Sequence, residues 1–357
     1  MAKIRVLVVD DSITVRKHLV EALAADAGFE VVGEAADGQT AIDLCRSLHP
    51  DVMTLDMVLP QLSGLAVTEH IMAYCPTPIL IVSSSMNRGE VFNTYDALAA
   101  GAVDVLDKSA ASEPNGQWEQ QLRSSVKTVS RIKVITHPRA RFARNETARA
   151  QGITGAVAAD AGAYRCVAIG ASTGGPGAVH DLLCALPASF PLPILLVIHI
   201  GEPFGIAMCD WLNGLSPIRV VTAVDGSPLP LPGEGRVIMA PHNRHLVLRG
   251  GRLWLSDAPE RHFCRPSVDV LFESVARELG RSAIACLLTG MGRDGAQGML
   301  AIRRAGGMTL AQDEATSVVF GMPKEAIELG AAGHILPLQE MAPTLVQLTA
   351  EKLSAGM

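Results

Sequence analysis

Residues 6–12 read VLVVDDS, four apolar residues running straight into two carboxylates and a serine. Valine favours extended backbone, and an unbroken apolar run suits a strand covered on both faces. Extended back to Ile4, the run is a strand with Asp10 and Asp11 just past its C-terminal end. Outward from it, Ile13, Val15, Leu19, Val20 and Leu23 supply the apolar positions of a helix ending near Gly28. A second strand is expected over 31–35, and Ala41, Ile42, Leu44, Cys45 and Leu48 mark the next helix. Further strands fall at 52–55, 79–82 and 103–106, and a last helix spans about 117–135. Strand and helix alternating at this interval predict a parallel, doubly wound α/β sheet.

After Tyr164 the rhythm restarts. A strand over 166–169 leads into the glycine-rich turn GASTGGPG at 170–177. Val179, Leu182, Leu183 and Leu186 then repeat at helical spacing. Strands are expected at 194–200, 237–240 and 283–288, with a helix over 268–279. The chain therefore reads as two α/β domains, 1–122 and 164–357, joined by a helix end and linker over 123–163. Between Arg123 and Arg149 lie eight Lys or Arg against the single acid Glu146. With Phe142 the one aromatic of the Phe, Trp and Tyr class among them, these charges read as a solvated linker rather than a docking or nucleic-acid patch.

Composition agrees. The 357 residues are 48% hydrophobic but only 4% aromatic, a palette for cores of Val, Leu, Ile and Ala. Thirty basic and 36 acidic residues give a net charge of −6, which argues against a nucleic-acid binder. The seven cysteines are scattered and never spaced CxxC. They read as reduced thiols of a cytoplasmic protein, not as a disulfide framework or a zinc site. No apolar stretch approaches the ~20 residues that span a bilayer, so membrane insertion is not expected.

In an open parallel sheet the C-terminal strand ends share one edge, where ligands bind. Asp10 and Asp11 follow the first strand, Asp56 the third, Ser83 ends the fourth and Lys108 follows the fifth. Three carboxylates there repel one another without a cation, and oxygen-only ligands suit a hard ion such as Mg²⁺. Acids for a metal, a hydroxyl and an ammonium are the equipment for phosphorylating one carboxylate. An aspartate at a strand end can simply cap a helix, but five such residues on one edge are harder to reduce to capping.

The second half carries its own constellation. Ser172 follows a strand and opens a helix among small neighbours that let a substrate approach the backbone. N–H groups at a helix start favour developing negative charge. A serine hydroxyl needs a base, and His199 ends the next strand on the same edge. Asp294, in LLTGMGRDGAQGM at 287–299, lies just past another strand and can orient the imidazole. Gly290, Met291 and Gly292 offer backbone donors for an oxyanion. Alone, Ser172 reads more readily as a helix cap. A nucleotide loop is the other reading, but GASTGG is neither GxGxxG nor GxxxxGK[ST].

Residues 1 to about 120 resemble a response-regulator receiver domain through VLVVDDS, LDMVLPQLSG, IVSSS and VDVLDK. The resemblance implies a flavodoxin-like (βα)5 fold with Asp56 as phosphoacceptor. It implies Mg²⁺ held by Asp10, Asp11, Asp56 and the Val58 carbonyl, and phosphoryl contacts from Ser83 and Lys108. Residues from about 164 to 340 resemble the CheB protein-glutamate methylesterase catalytic domain. The matching stretches are VAIGASTGGP, RPSVDVLFESVA, LLTGMGRDGAQGM and AQDEATSVVFGMPKEAI. This resemblance implies a doubly wound, mostly parallel α/β domain with Ser172 as nucleophile, His199 as base and Asp294 as its partner. Oxyanion contacts from Met291 and Thr173 are implied too. The family's substrates are glutamyl methyl esters of chemoreceptors, with receptor glutamines deamidated by some members, and a sensor histidine kinase is the implied phosphodonor.

Departures from the two patterns cluster at informative places. Ser109 stands where receivers usually have Pro, and Val105 where many have an aromatic. Ile198 and Ile200 flank His199 in place of Gln and Met, Cys264 replaces a His, and the usual APG segment reads Ala240-Pro241-His242-Asn243. His242 and His245 are near enough to line the pocket, with a surface position expected for at least one. A non-enzymatic partner-binding module would draw support only from Ile198 and Cys264, and the retained Ser, His and Asp argue against it. A receiver-controlled transcription factor would need a helix-turn-helix output, and the second half shows repeated strands instead.

Overall fold

The computed structural model describes residues 3–84, 88–108, 116–132, 134, 164–200 and 204–350. The expected linker over 136–163 and Ser109 lie outside these residues.

The first domain runs β1 (Ile4–Val9), α1 (Ile13–Ala24), β2 (Phe29–Ala35), α2 (Gly38–Leu48), β3 (Val52–Leu55), α3 (Gly64–Tyr74), β4 (Ile79–Ser83), α4 (Arg88–Ala99), β5 (Asp104–Asp107) and α5 (Gln117–Val129). Its five strands are parallel in the order β2-β1-β3-β4-β5. That is the flavodoxin-like order, whose switch point lies between β1 and β3. Local chemistry starts the helices where it should. Ser12 accepts from Val15 N, Asp37 from Thr40 N and Ser63 from Ala66 N, each satisfying a donor that the first turn leaves unpaired. Helix α5 stops at Val129, short of the expected 135. Its buried stripe of Trp118, Leu122, Val126 and Val129 ends there, and Ser130 caps the helix, its N–H donated to the Val126 carbonyl.

The second domain runs β6 (Cys166–Ala171), α6 (Gly175–Ala185), β7 (Ile194–Ile198), α7 (Phe204–Leu215), β8 (Val220–Thr222), β9 (Val237–Met239), β10 (His245–Arg249), β11 (Arg252–Ser256), α8 (Val268–Leu279), β12 (Ala283–Leu287), α9 (Ala296–Arg304), β13 (Met308–Gln312), α10 (Met322–Glu328), β14 (His334–Leu336) and α11 (Leu338–Ala350). Seven strands form one parallel sheet ordered β14-β13-β12-β6-β7-β9-β8, and β10 and β11 make a separate antiparallel hairpin. Strands β6, β7 and β12 are buried at every residue, as a sheet covered on both faces requires. Strand order reverses between β12 and β6, so the segments after β6, β7 and β12 meet at one crevice.

The two domains share a continuous apolar core. The side chain of Tyr95 on α4 donates its hydroxyl to the Phe204 carbonyl, and its ring lies 5.1 Å from that of Trp211 on α7. Trp211 Nε1 donates to Asp96 Oδ1 at 2.9 Å. Gly177 on α6 lets α4 approach, since a Cβ there would stand 3.2 Å from the Leu98 carbonyl oxygen.

Candidate active site

The first domain gathers its predicted acids at the β1/β3 switch point. Asp10 and Asp56 are buried and Asp11 is exposed, and one carboxylate oxygen of each lies within 4.8 Å of the others. Lys108 Nζ stands 2.5 Å from Asp10 Oδ2 and 2.7 Å from Asp56 Oδ2. Burial raises the Asp56 carboxyl above the usual carboxylate range, although the Lys108 ammonium beside it pulls the other way. One ammonium among three carboxylates leaves an excess of hard, anionic oxygen donors, which fits a hard divalent cation. Ser83 is buried at the end of β4, and its carbonyl accepts from Lys108 N at 3.0 Å. Val58, just past Asp56, is half exposed.

In the second domain Ser172 follows β6, with its backbone N–H donated to the Thr289 carbonyl at 3.0 Å. Gly174 takes φ +76, and a Cβ there would meet Val318 Cβ at 2.5 Å, so this turn needs glycine. A Cβ on Gly290 would lie 2.8 Å from Ser172 Cβ, which shows how closely the loop after β12 abuts the serine. Among the described residues the backbone N–H groups of Thr173 and Met291 make no hydrogen bond.

His199 follows β7, and its N–H donates to the Ala171 carbonyl at 3.0 Å. Its Nε2 meets Asp294 Oδ2 at 2.9 Å. Asp294 is 2% exposed and is held by three further donors. These are Ser267 Oγ at 2.7 Å, Val268 N at 2.7 Å and Asp269 N at 3.0 Å, all at the start of α8. Burial pushes the Asp294 carboxyl up, but the His199 bond and these donors win and hold it below the usual range. Burial pulls His199 down, but its bonds to Asp294 and Cys264 outweigh that and raise it to about 9. Cys264 Sγ lies 3.6 Å from His199 Nδ1.

The structure thus joins His199 to Asp294. Ser172 lines one cavity with His199, but Ser172 Oγ makes no hydrogen bond among the described residues. That cavity, of about 290 Å³, also contains Thr173 and is lined from the first domain by Val103, Asp104 and Val105. Of the two histidines His242 and His245, His245 is not at the surface. It is wholly buried, accepting from Ser267 N at 3.1 Å through Nδ1, so it braces the residue that braces Asp294. His242 is half-buried, its Nδ1 3.3 Å from the Ile200 carbonyl oxygen.

Sequence reasoning missed Ser267, although a serine directly before an apolar helical run is a cap signal. It also missed a second couple, His262 Nε2 to buried Asp269 Oδ2 at 3.1 Å.

Comparison with known proteins follows the same division. The CheB methylesterase family matches residues 167–345, and the response regulator receiver domain matches residues 6–114. A protein-glutamate methylesterase/protein-glutamine glutaminase 2 of Anaeromyxobacter dehalogenans is 44% identical over 346 residues, covering 97% of each chain. A protein-glutamate methylesterase/protein-glutamine glutaminase of Nitrosospira multiformis is 42% identical, covering 98% of each. The crystal structure of the Thermotoga maritima CheB methylesterase catalytic domain aligns with 52% of this chain and 99% of that one, at 35% identity and a TM-score of 0.49. Among the described residues no helix is long and apolar enough to cross a membrane. A receiver domain joined to a methylesterase domain, matched along nearly its whole length by such relatives, places this chain in the CheB family of protein-glutamate methylesterases.

Proposed function

We propose that this protein is a phosphorylation-regulated serine hydrolase of chemotaxis-type signalling that removes methyl esters from glutamyl residues of chemoreceptors. The observation that carries the chemistry is the 2.9 Å bond from His199 Nε2 to the firmly held Asp294, which leaves Nδ1 as the nitrogen available to a serine hydroxyl. In this reading Ser172 Oγ attacks the ester carbonyl while Nδ1 takes its proton. The backbone N–H groups of Thr173 and Met291 receive the oxyanion, as their lack of other partners favours. His199 returns the proton to the departing methoxide, and water then hydrolyses the acyl-enzyme. Receptor glutamine side chains are a second substrate of the same machinery, with ammonia as the leaving group.

Asp56 is the proposed phosphoacceptor, receiving its phosphoryl group from a sensor histidine kinase. Asp10, Asp11, Asp56 and the Val58 carbonyl would hold Mg²⁺, which when bound supplies positive charge against the incoming phosphoryl oxygens. Lys108 and Ser83 contact the phosphoryl group. With Val103, Asp104 and Val105 lining the cavity beside Ser172, the unphosphorylated receiver restricts access to it in this reading. The domain limits follow as 1–122 and 164–357 around the segment 123–163, and a cytoplasmic location accompanies the reading. A serine-directed phosphonate probe tests the enzyme assignment. It should label the wild type and fail on Ser172→Ala, and equal labelling of both would remove Ser172 from its role.

A further inference from the structure

Cys264 touches the imidazole that the proposed reaction uses, yet that reaction gives the thiol no task. We propose that His199 Nδ1 and Cys264 Sγ form a two-ligand site for a thiophilic divalent cation such as Zn²⁺, and that a cation held there stops ester hydrolysis. The spacing fits. Zinc lies ~2.0–2.1 Å from nitrogen and ~2.3 Å from thiolate sulfur, and a tetrahedral angle between such bonds separates the two atoms by ~3.5 Å. Here they are 3.6 Å apart.

An independent observation points the same way. A metal-binding histidine usually donates its other ring N–H to a carboxylate, which fixes the tautomer and orients the ring. His199 Nε2 makes that bond to Asp294 Oδ2 at 2.9 Å. The oxygens of Asp294 are occupied by His199, Ser267 Oγ and two backbone N–H groups, so it supports the site from outside without ligating. One potential ligand atom of each of His199, Cys264 and Asp294 lies within 4.8 Å of the others. An N,S pair selects soft or borderline ions over Mg²⁺, so the site is chemically separate from the oxygen-lined receiver pocket. Cys264 itself is partly exposed, on a turn whose Phe263 faces solvent.

Binding replaces the thiol proton and any proton on Nδ1, both released to solvent, and water completes the coordination. The Nδ1 lone pair then faces the metal and cannot accept the Ser172 proton. The inhibitory half rests on His199 as the base, whereas the binding half rests on geometry alone.

Co²⁺ added to the full-length protein tests binding without reference to activity. Cys184 Sγ lies 3.5 Å from His180 Nε2 on α6, a second pair of the same spacing, so the titration is run in Cys184→Ser. There a thiolate-to-cobalt charge-transfer band should appear, saturate at one equivalent and disappear on competition with Zn²⁺, and adding Cys264→Ser should abolish it. In the same preparations Zn²⁺ should suppress methanol release reversibly with chelator, and Cys264→Ser should need at least about ten-fold more Zn²⁺ for equal suppression. Absence of the band in Cys184→Ser, or its survival when Cys264→Ser is added, would overturn the site. Binding without suppression would overturn the inhibitory role and the assignment of His199 as base while leaving the cation site standing.

Discussion

Asp294 is held by more donors than a surface aspartate needs, a surplus that suits the proposed role of positioning carboxylate. With His199 on one oxygen and the start of α8 supplying three further donors, it has little freedom to turn. Asp294→Asn keeps the shape but reverses a donor and an acceptor. It should lower kcat for methyl-ester hydrolysis by on the order of 10⁴, as loss of the orienting carboxylate does in a serine triad. Methanol release from methylated receptor membranes measures this, and a loss below about ten-fold would contradict the role. The imidazole raised to about 9 sets the pH response. A base must be unprotonated, so kcat/KM should climb from neutral pH and level off above about 9. Cys264 contributes to the rise, so Cys264→Ala should move that limb to lower pH in chelator-treated buffer. For stability the sign is opposite. A folded-state value above the ordinary histidine value gives a contribution fully present below about 6.5 and lost as pH rises through about 9.

At the scale of elements, α4 is the part of the receiver that grips the second domain. Trp211→Phe removes the indole donor to Asp96 while keeping most of the packed area. A net loss of about 1 kcal/mol there corresponds to roughly five-fold more of the open form. Basal hydrolysis without phosphodonor should rise by about that factor, and an unchanged basal rate would show that this contact does not hold the domains together. Such contacts are where sequence reading ran out. Strands β1, β6 and β7 were legible because apolar runs end in turn chemistry. Asp10, Asp56, Ser172 and His199 were legible because strand ends converge on one edge. Helix α4 carries no comparable signal, and nothing in its spacing says that Tyr95 reaches a carbonyl 109 residues away. Cys264 stood out in the sequence only as a departure from a pattern, because its meaning depends on the turn that brings it to His199. Nothing in the sequence separated buried His245 from half-buried His242, because the bonds of His245 to the Pro259 carbonyl and from Ser267 N join segments distant along the chain.

At the scale of the whole molecule, two sheets of related design serve different chemistry. Each gathers its candidate groups where strand order reverses, and residues of the first domain line the cavity that holds Ser172. The gate need not be strong. A shift of ~1.4 kcal/mol in the closed-to-open equilibrium changes the open population about ten-fold while that form is rare. Phosphorylation at Asp56, the proposed acceptor, would add charge in a pocket where Lys108 already bridges Asp10 and Asp56, and so would shift Lys108. The most direct test is methanol release from methylated receptor membranes, with and without a small phosphodonor and Mg²⁺, for wild type, Ser172→Ala and Asp56→Asn. Release should rise with the donor in wild type, vanish in Ser172→Ala and stay at the basal level in Asp56→Asn. Release that persists in Ser172→Ala, or responds to the donor in Asp56→Asn, would contradict the account.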